Sequence, residues 1–344
     1  MFYGIKKRII ESNIKKRQAA GYNALESELY QLSPEDDGHI NNSYFFSAHS
    51  MKGETLFVRL GLRGDGTKEV WVGYSNGDLF TENERELYGP EEEAPLRVKC
   101  ITPEKEWEIL YEGTMRDVKE EGRRLFHARL QARFLAKAKI FDFFYDNDPS
   151  TTAHALAEEK WSRQMFSEIS ANNQRHYEQA GELCGQLMLD EKRLELRMVC
   201  GRDHSFGPRF WSYMNHHFWI LGIDEEGHVI NISMVSYPCV KEIWTGYTTL
   251  YGKVDSFASV KCSSDMEIAG FSDGHMMLEV CLTSGKRFEV ETFREGEAVY
   301  YFDNGNYYFS EGFGSMLVDG KKIRGTIEFS FNQDRLREKR SESR

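Results

Sequence analysis

The spacing of apolar residues changes along the chain, and each change marks a different kind of element. Over residues 1–20, Ile5, Ile9, Ile10 and Ile14 fall at helical spacing, while Lys6, Lys7, Arg8, Lys15, Lys16 and Arg17 fill the other faces. That spacing predicts a basic amphipathic helix. A polar connection follows to residue 37 and ends Ser-Pro-Glu-Asp-Asp-Gly. From Asn41 the period shortens to two. Tyr44–Phe46, Thr55–Leu62, Glu69–Tyr74, Leu96–Cys100 and Trp107–Tyr111 read as short strands, punctuated by turns such as Gly64-Asp65-Gly66 and Asn76-Gly77. Leu125–Phe134 alternates over a full strand.

Residues 150–174 interrupt the rhythm. Ser150, Thr151 and Thr152 offer caps to a single helix carrying Leu156, Trp161, Met165 and Ile169. Strands then resume, from Leu183–Leu189 and Leu194–Val199 to Phe218–Ile223, Val229–Val235 and finally Thr326–Phe331. A run of short strands of this kind predicts an all-β protein built as antiparallel sandwiches or barrels. The helix supplies the division between them. The expected organisation is a helix and connection over 1–37, a β domain over 38–149, a connecting helix over 150–175, a second β domain over 176–334 and a charged tail over 335–344.

Composition narrows the classes. The chain has 344 residues, more than one core usually serves, which supports two domains. Its net charge of −11 argues against non-specific nucleic-acid binding. There is no run of about 18 apolar residues, so no membrane-spanning helix is expected, and the N-terminus lacks a secretory pattern. Cysteines at 100, 184, 200, 239, 262 and 281 show no metal-binding or C-x-x-C spacing and are expected as free thiols in the cytoplasm.

Candidate chemistry concentrates in Gly201–Trp211, GRDHSFGPRFW. As strand positions, Arg202, His204 and Phe206 face one way and Asp203 and Ser205 the other. Asp203 and His204 can share a cavity only if Gly201 or Gly207 marks a bulge or turn. In an aromatic-lined cavity a carboxyl would hold its proton at neutral pH. An imidazole beside it could orient it or relay the proton. Phe206, Trp211 and Trp219 could stabilise a developing carbocation. In the competing reading, Arg202 or Arg209 pairs with Asp203 and the stretch merely ties strands together. His176 and Tyr177 form a second polar cluster with Glu178 and Gln179. The His216-His217 pair, on opposite strand faces, suits no metal. Nucleotide-binding, serine-hydrolase and zinc signatures are absent, so neither cofactor nor metal is expected.

Gly201–Trp211 resembles the G-x-R/H-D-H-S/N-W-G-x-R-x-W signature of the tandem lipocalin-like (calycin) family related to carotenoid 1,2-hydratase, also called hydroxyneurosporene synthase. His176–Gly181 with Gly185 and Asp190, and the segment from Glu311-Gly312 through Asp319-Gly320-Lys321 and Gly325 to Glu328-Phe329, are similar to other parts of that family. The resemblance spans residues 176–331, and over 38–145 only the strand rhythm agrees. It implies two lipocalin-like barrels, a cavity for an apolar ligand, and an acid and histidine at Asp203 and His204. Phe206 departs from the pattern, where Trp is usual.

The expected function is therefore binding of an isoprenoid-, polyene- or steroid-like molecule in a β-barrel cavity, with acid-catalysed protonation of a C=C bond. Asp203 and His204 are the expected catalytic pair. Arg202, Phe206, Trp211, Trp219, His176 and Tyr177 are the expected ligand contacts. One alternative is a non-catalytic binding protein of the same fold. Another is a peripheral membrane or interaction module acting through residues 1–20.

Overall fold

The computed structural model describes residues 2–19, 21, 24–119, 124–172, 174–262 and 275–335. The chain opens with α1 (Tyr3–Gln18) and a short α2 (Ala24–Glu28). Strands β1 (Ile40–His49), β2 (Thr55–Arg63), β3 (Lys68–Ser75), β4 (Phe80–Asn83), β5 (Leu87–Tyr88), β6 (Leu96–Thr102), β7 (Glu106–Asp117), β8 (Leu125–Ala136) and β9 (Phe141–Asp142) follow. Next come α3 (Pro149–Glu158) and α4 (Arg163–Ala171), then the long hairpin β10 (Arg175–Leu189) and β11 (Lys192–Pro208). The remaining strands are β12 (His216–Ile223), β13 (Val229–Tyr237), β14 (Val240–Thr248), β15 (Asp255–Cys262), β16 (His275–Leu282), β17 (Arg287–Phe302), β18 (Tyr307–Val318) and β19 (Lys321–Asn332).

These strands close into two eight-stranded antiparallel barrels. The first runs β11-β1-β2-β3-β4-β7-β8-β10 and closes by pairing β10 with β11. The second runs β12 to β19 in order and closes by pairing β12 with β19. The boundary expected at 150–175 thus falls inside the first barrel's strand series. β10 pairs with β8, and β11 with β1, across the intervening helices. The expected single helix is also two. Asp148, not Ser150 to Thr152, caps α3 by accepting from the Ser150 N–H at 2.8 Å, and Ser162 caps α4.

Both barrels are filled. In β8, Phe126, Ala128, Leu130, Ala132 and Phe134 point inward, alternating with more exposed residues such as Arg129 and Arg133. The second barrel is packed by Phe218, Ile220, Ile232, Phe257, Val290 and Met316 among others. A third apolar layer lies between the barrels. Trp71 stacks on Tyr300 at 3.9 Å and Phe141 on Tyr247 at 3.8 Å. This explains why β1, β2 and β3 are buried on both faces: one face fills a barrel and the other meets its neighbour. Gly201 lies on that outer face, where an added Cβ would come within 2.3 Å of Leu221 Cδ2. The lack of a side chain there lets the barrels approach.

The helices seal one flank. Ile10 of α1, Ala153 and Leu156 of α3, and Met165 of α4 pack on Val240 of β14. Of the predicted isoleucine stripe only Ile10 is fully buried, while Ile5 and Ile9 are exposed along with Phe2. No helix among the described residues is long and apolar enough to cross a membrane. Cys100, Cys184, Cys200, Cys239 and Cys281 are free thiols.

Candidate functional site

The barrels leave a cavity of about 430 Å³ between their outer faces, within the usual size range of small-molecule sites. The expected location inside a barrel is corrected, because side chains already fill both barrel interiors. Phe45, Arg59, Trp71, His176, Asp203 and Ser205 line the cavity from the first barrel. Trp219, Val235, Phe309, Glu311 and Glu328 line it from the second. Trp211, on the turn after β11, forms part of the wall, and α1 adds Arg17.

Strand alternation separates the two residues expected to act together. β11 pairs with β1 without a register break, from Ile40↔Pro208 to His49↔Val199. No bulge turns His204 toward Asp203. Gly207 does adopt a left-handed φ of 108°, but it follows both residues. Asp203 therefore faces the cavity and His204 the interior of the first barrel. There the His204 ring nitrogens meet Tyr177 Oη at 2.6 Å and Asn42 Oδ1 at 2.7 Å. Burial, then Arg202, push the His204 pKa down to about 3, so it is neutral at physiological pH.

Arg202, Tyr177 and Phe206 also point inward and do not line the cavity. Arg202 donates from Nη2 to Glu28 Oε1 at 2.8 Å and to Gln179 Oε1 at 2.7 Å. Tyr177 donates to the same Glu28 carboxylate. Phe206 stacks on Tyr30 at 4.4 Å. Half of the signature therefore forms a buried polar plug joining α2 to the barrel, and three expected ligand contacts lie outside the cavity lining. His176, Trp211 and Trp219 do line the cavity.

Asp203 is not the proton-rich acid its setting suggested. His176 Nε2 lies 2.8 Å from Asp203 Oδ2, and Ser205 Oγ donates to Oδ1 at 2.9 Å. No arginine takes that place. Burial alone would raise the Asp203 pKa; the His176 charge outweighs it, and the carboxyl is held below its usual range. Burial alone would likewise depress His176, but Asp203 and Glu178 lift it to about 10. The pair is a carboxylate and an imidazolium. Its linkage has a definite sign. A histidine whose folded pKa exceeds its unfolded value stabilises the fold below the unfolded value, and that stabilisation is lost as pH rises through the folded one. The melting temperature should fall more steeply between about pH 7 and pH 10 in the wild type than in His176→Gln. Equal slopes would show that the pair is not charged as described.

The carboxyl whose pKa is pushed up is Glu311. Ser310↔Phe329 and Phe313↔Thr326 frame a register that sets Glu311 of β18 directly opposite Glu328 of β19. Both carboxyls face the cavity, and both residues are buried. Burial first, then the charge of Glu328 and hydrogen bonding to it, raise the Glu311 pKa well above the carboxylate range. A negative charge on Glu328 opposes a second one on Glu311, which favours the protonated form of Glu311. Glu328 also lies 3.1 Å from His217 Nδ1, which brings one of the two adjacent histidines to the wall.

Glu178, opposite Asp203 on β10, plays another part. It is fully buried and its Oε1 accepts from Trp219 Nε1 at 2.9 Å and from Asn231 Nδ2 at 2.7 Å. The carboxyl of one barrel is thus tied to side chains of the other.

Glu311 and Glu328 were overlooked as chemistry by the strand-by-strand reading. The available signal was an acidic residue set among apolar ones in each of two strands, FSEGF and TIEFS.

Fold and site together define a tandem-barrel protein whose pocket lies between two closed antiparallel barrels and carries ionisable groups from both. The chain belongs to the family described as domain of unknown function (DUF7064), whose model matches residues 25–333. No curated protein matches it. Among solved structures it is similar to a protein assigned as AttH from Nitrosomonas europaea, with a TM-score of 0.51 and 10% identity over 88% of this chain and 100% of the other. CghA gives a TM-score of 0.50 at 9% identity, covering 91% of this chain and 94% of its own. Kievitone hydratase from Nectria haematococca gives 0.47 at 8% identity, covering 91% and 95%. At such identities the likeness to the first two is one of fold.

Proposed function

We propose that the protein binds an apolar small molecule between its barrels and converts it by proton transfer from Glu311 to a carbon–carbon double bond. The observation that carries this reading is a buried Glu311 facing Glu328 on the wall of an aromatic cavity, its pKa raised by burial and by that neighbouring charge. In the step, the Glu311 O–H bond breaks and a C–H bond forms from the π electrons. Glu311 is left as a carboxylate and the substrate as a carbocation. The rings of Trp219 and Phe309 on the cavity wall suit that cation. Water attack would then give hydration, and proton loss from a neighbouring carbon would give isomerisation. Attack by a second double bond would give cyclisation. Asp203, kept ionised by His176, is placed to accept the proton released in the second half of the reaction. The resemblance of Gly201–Trp211 to the carotenoid 1,2-hydratase signature supports the same class of chemistry. Of the signature's acid and histidine, it is the acid that reaches the cavity.

Native mass spectrometry of the protein purified from its own cells, with extraction of whatever accompanies it, tests the binding half. A stoichiometric apolar molecule is the expected result. An unliganded mass, with no melting shift across a panel of isoprenoids and steroids, would overturn the proposal.

A further inference from the structure

The cavity wall carries a guanidinium to which no carboxylate among the described residues is hydrogen-bonded. It belongs to Arg209, just beyond the end of β11. Its Nε and Nη2 both donate to Gln174 Oε1, at 3.2 and 2.9 Å, and its guanidinium lies over the Trp211 ring at 4.8 Å. Neither contact neutralises it. The cavity carboxylates are committed elsewhere: Asp203 to His176 and Ser205, Glu328 to His217 and Glu311. Glu69 serves Arg59 and Arg63 together, at 2.6 and 2.7 Å. On α1, Arg17 donates to the Phe144 carbonyl, at 3.2 Å, and stacks on its ring.

The same wall holds donors without acceptors. Gln174 Nε2 and Trp211 Nε1 are buried and have no hydrogen-bond partner among the described residues. Buried donors are nearly always satisfied, so two beside a guanidinium that has no carboxylate hydrogen-bonded to it call for an acceptor. Arg209 uses its face on Trp211 and two of its donors on Gln174. The rest of its edge remains for an in-plane oxygen pair, the arrangement guanidinium groups offer to carboxylates. Burial, then the nearby Arg59 and Arg63, lower the Arg209 pKa to about 9, against the opposing charges of Asp203 and Glu69.

We propose that the ligand of this cavity carries an acidic oxygen group, a carboxylate or an enolate, and that Arg209 selects it. The inference rests on the reading of the cavity as a small-molecule site. Gln174 and Trp211 supply neighbouring donors, and the apolar body of the ligand is left for Trp71, Trp219 and Phe309. Anchoring one end at Arg209 would fix which double bond meets Glu311. Arg209 is in this sense a specificity-determining residue and takes no part in the proton transfer.

Geranic acid and geraniol test it as a matched pair, an ionised acid and a neutral alcohol on the same isoprenoid skeleton. Isothermal titration near pH 7.5 on the full chain is expected to give about tenfold to a hundredfold tighter binding of the acid, the strength of a charge-assisted hydrogen bond. Arg209→Met should erase that preference, while Arg209→Lys should retain part of it. A melting curve accompanies each variant. If Arg209→Met does not fold, the wild-type preference and Arg209→Lys still decide the matter. Equal wild-type affinity for the two probes would overturn the inference and leave the cavity reading standing. So would a preference that survives in a folded Arg209→Met. Binding of neither probe would overturn both.

Discussion

Replacing Glu311 by Gln is expected to slow turnover of the cavity's ligand by about a hundredfold to ten-thousandfold, with its Kd changed by no more than about threefold. Gln keeps the shape of the side chain and a hydrogen-bonding group toward Glu328, but has no acidic proton to give. Steady-state rates and titration on the same preparation separate the two effects. Glu328→Gln makes a complementary test. Glu311 must be protonated to act, so activity is lost as pH rises through its pKa. Removing the Glu328 charge takes away the second-largest cause that raises that pKa. The alkaline limb of the kcat/KM profile should therefore move to lower pH. A wild-type rate in Glu311→Gln would place the proton donor elsewhere.

The second large effect belongs to the plug. Glu28→Ala should destabilise the protein by about 3–5 kcal/mol, the usual cost of breaking a buried ion pair from one side. Glu28 accepts from Arg202 at 2.8 Å, from the Glu104 N–H at 2.9 Å, from Trp107 Nε1 at 3.3 Å and from Tyr177. The side chains of both Glu28 and Arg202 are fully buried. Its removal strands a guanidinium among Trp107, Phe134 and Tyr177. Denaturant unfolding measures the loss. The double variant Glu28→Leu/Arg202→Met should recover much of it, since apolar replacement of a whole buried pair is often neutral or better. A Glu28→Ala protein as stable as the wild type would mean that the signature's inward face contributes little to the barrel.

The same contrast shows how far the chain could be read without coordinates. The two barrels were implied only by the resemblance to the tandem lipocalin-like family. The all-β character was legible because β8 and its neighbours alternate cleanly, and alternation is a local property. The facing of Gly201–Trp211 was legible for the same reason. Arg202, His204 and Phe206 do share one side, and Asp203 and Ser205 the other. Which side is the cavity was not legible, because both faces of β11 are buried, one in the first barrel and one against the second. Tyr177 and His204, chemically plausible catalysts, turn out to be satisfied by Glu28 and Asn42 from segments more than 140 positions away. Glu311 escaped notice because its pKa depends on Glu328, a cross-strand neighbour that residue spacing along one strand cannot reveal. The division at the helices failed because strand order in a closed sheet is set by pairing between distant segments.

That pairing order has a consequence for how the polypeptide is made. During synthesis, everything up to α4 emerges before the two strands that complete the first barrel. Until β10 and β11 follow, β1 and β8 are unpaired edges on a strongly apolar sheet, the kind of surface that recruits other nascent chains. A fragment that stops within 159–174 should accordingly be insoluble, and one that starts there should carry a hairpin with no sheet to join. The natural cut for separating the halves lies instead in the short turn between Pro208 and His216. That turn carries Trp211, so a protein divided there would lose part of the cavity wall.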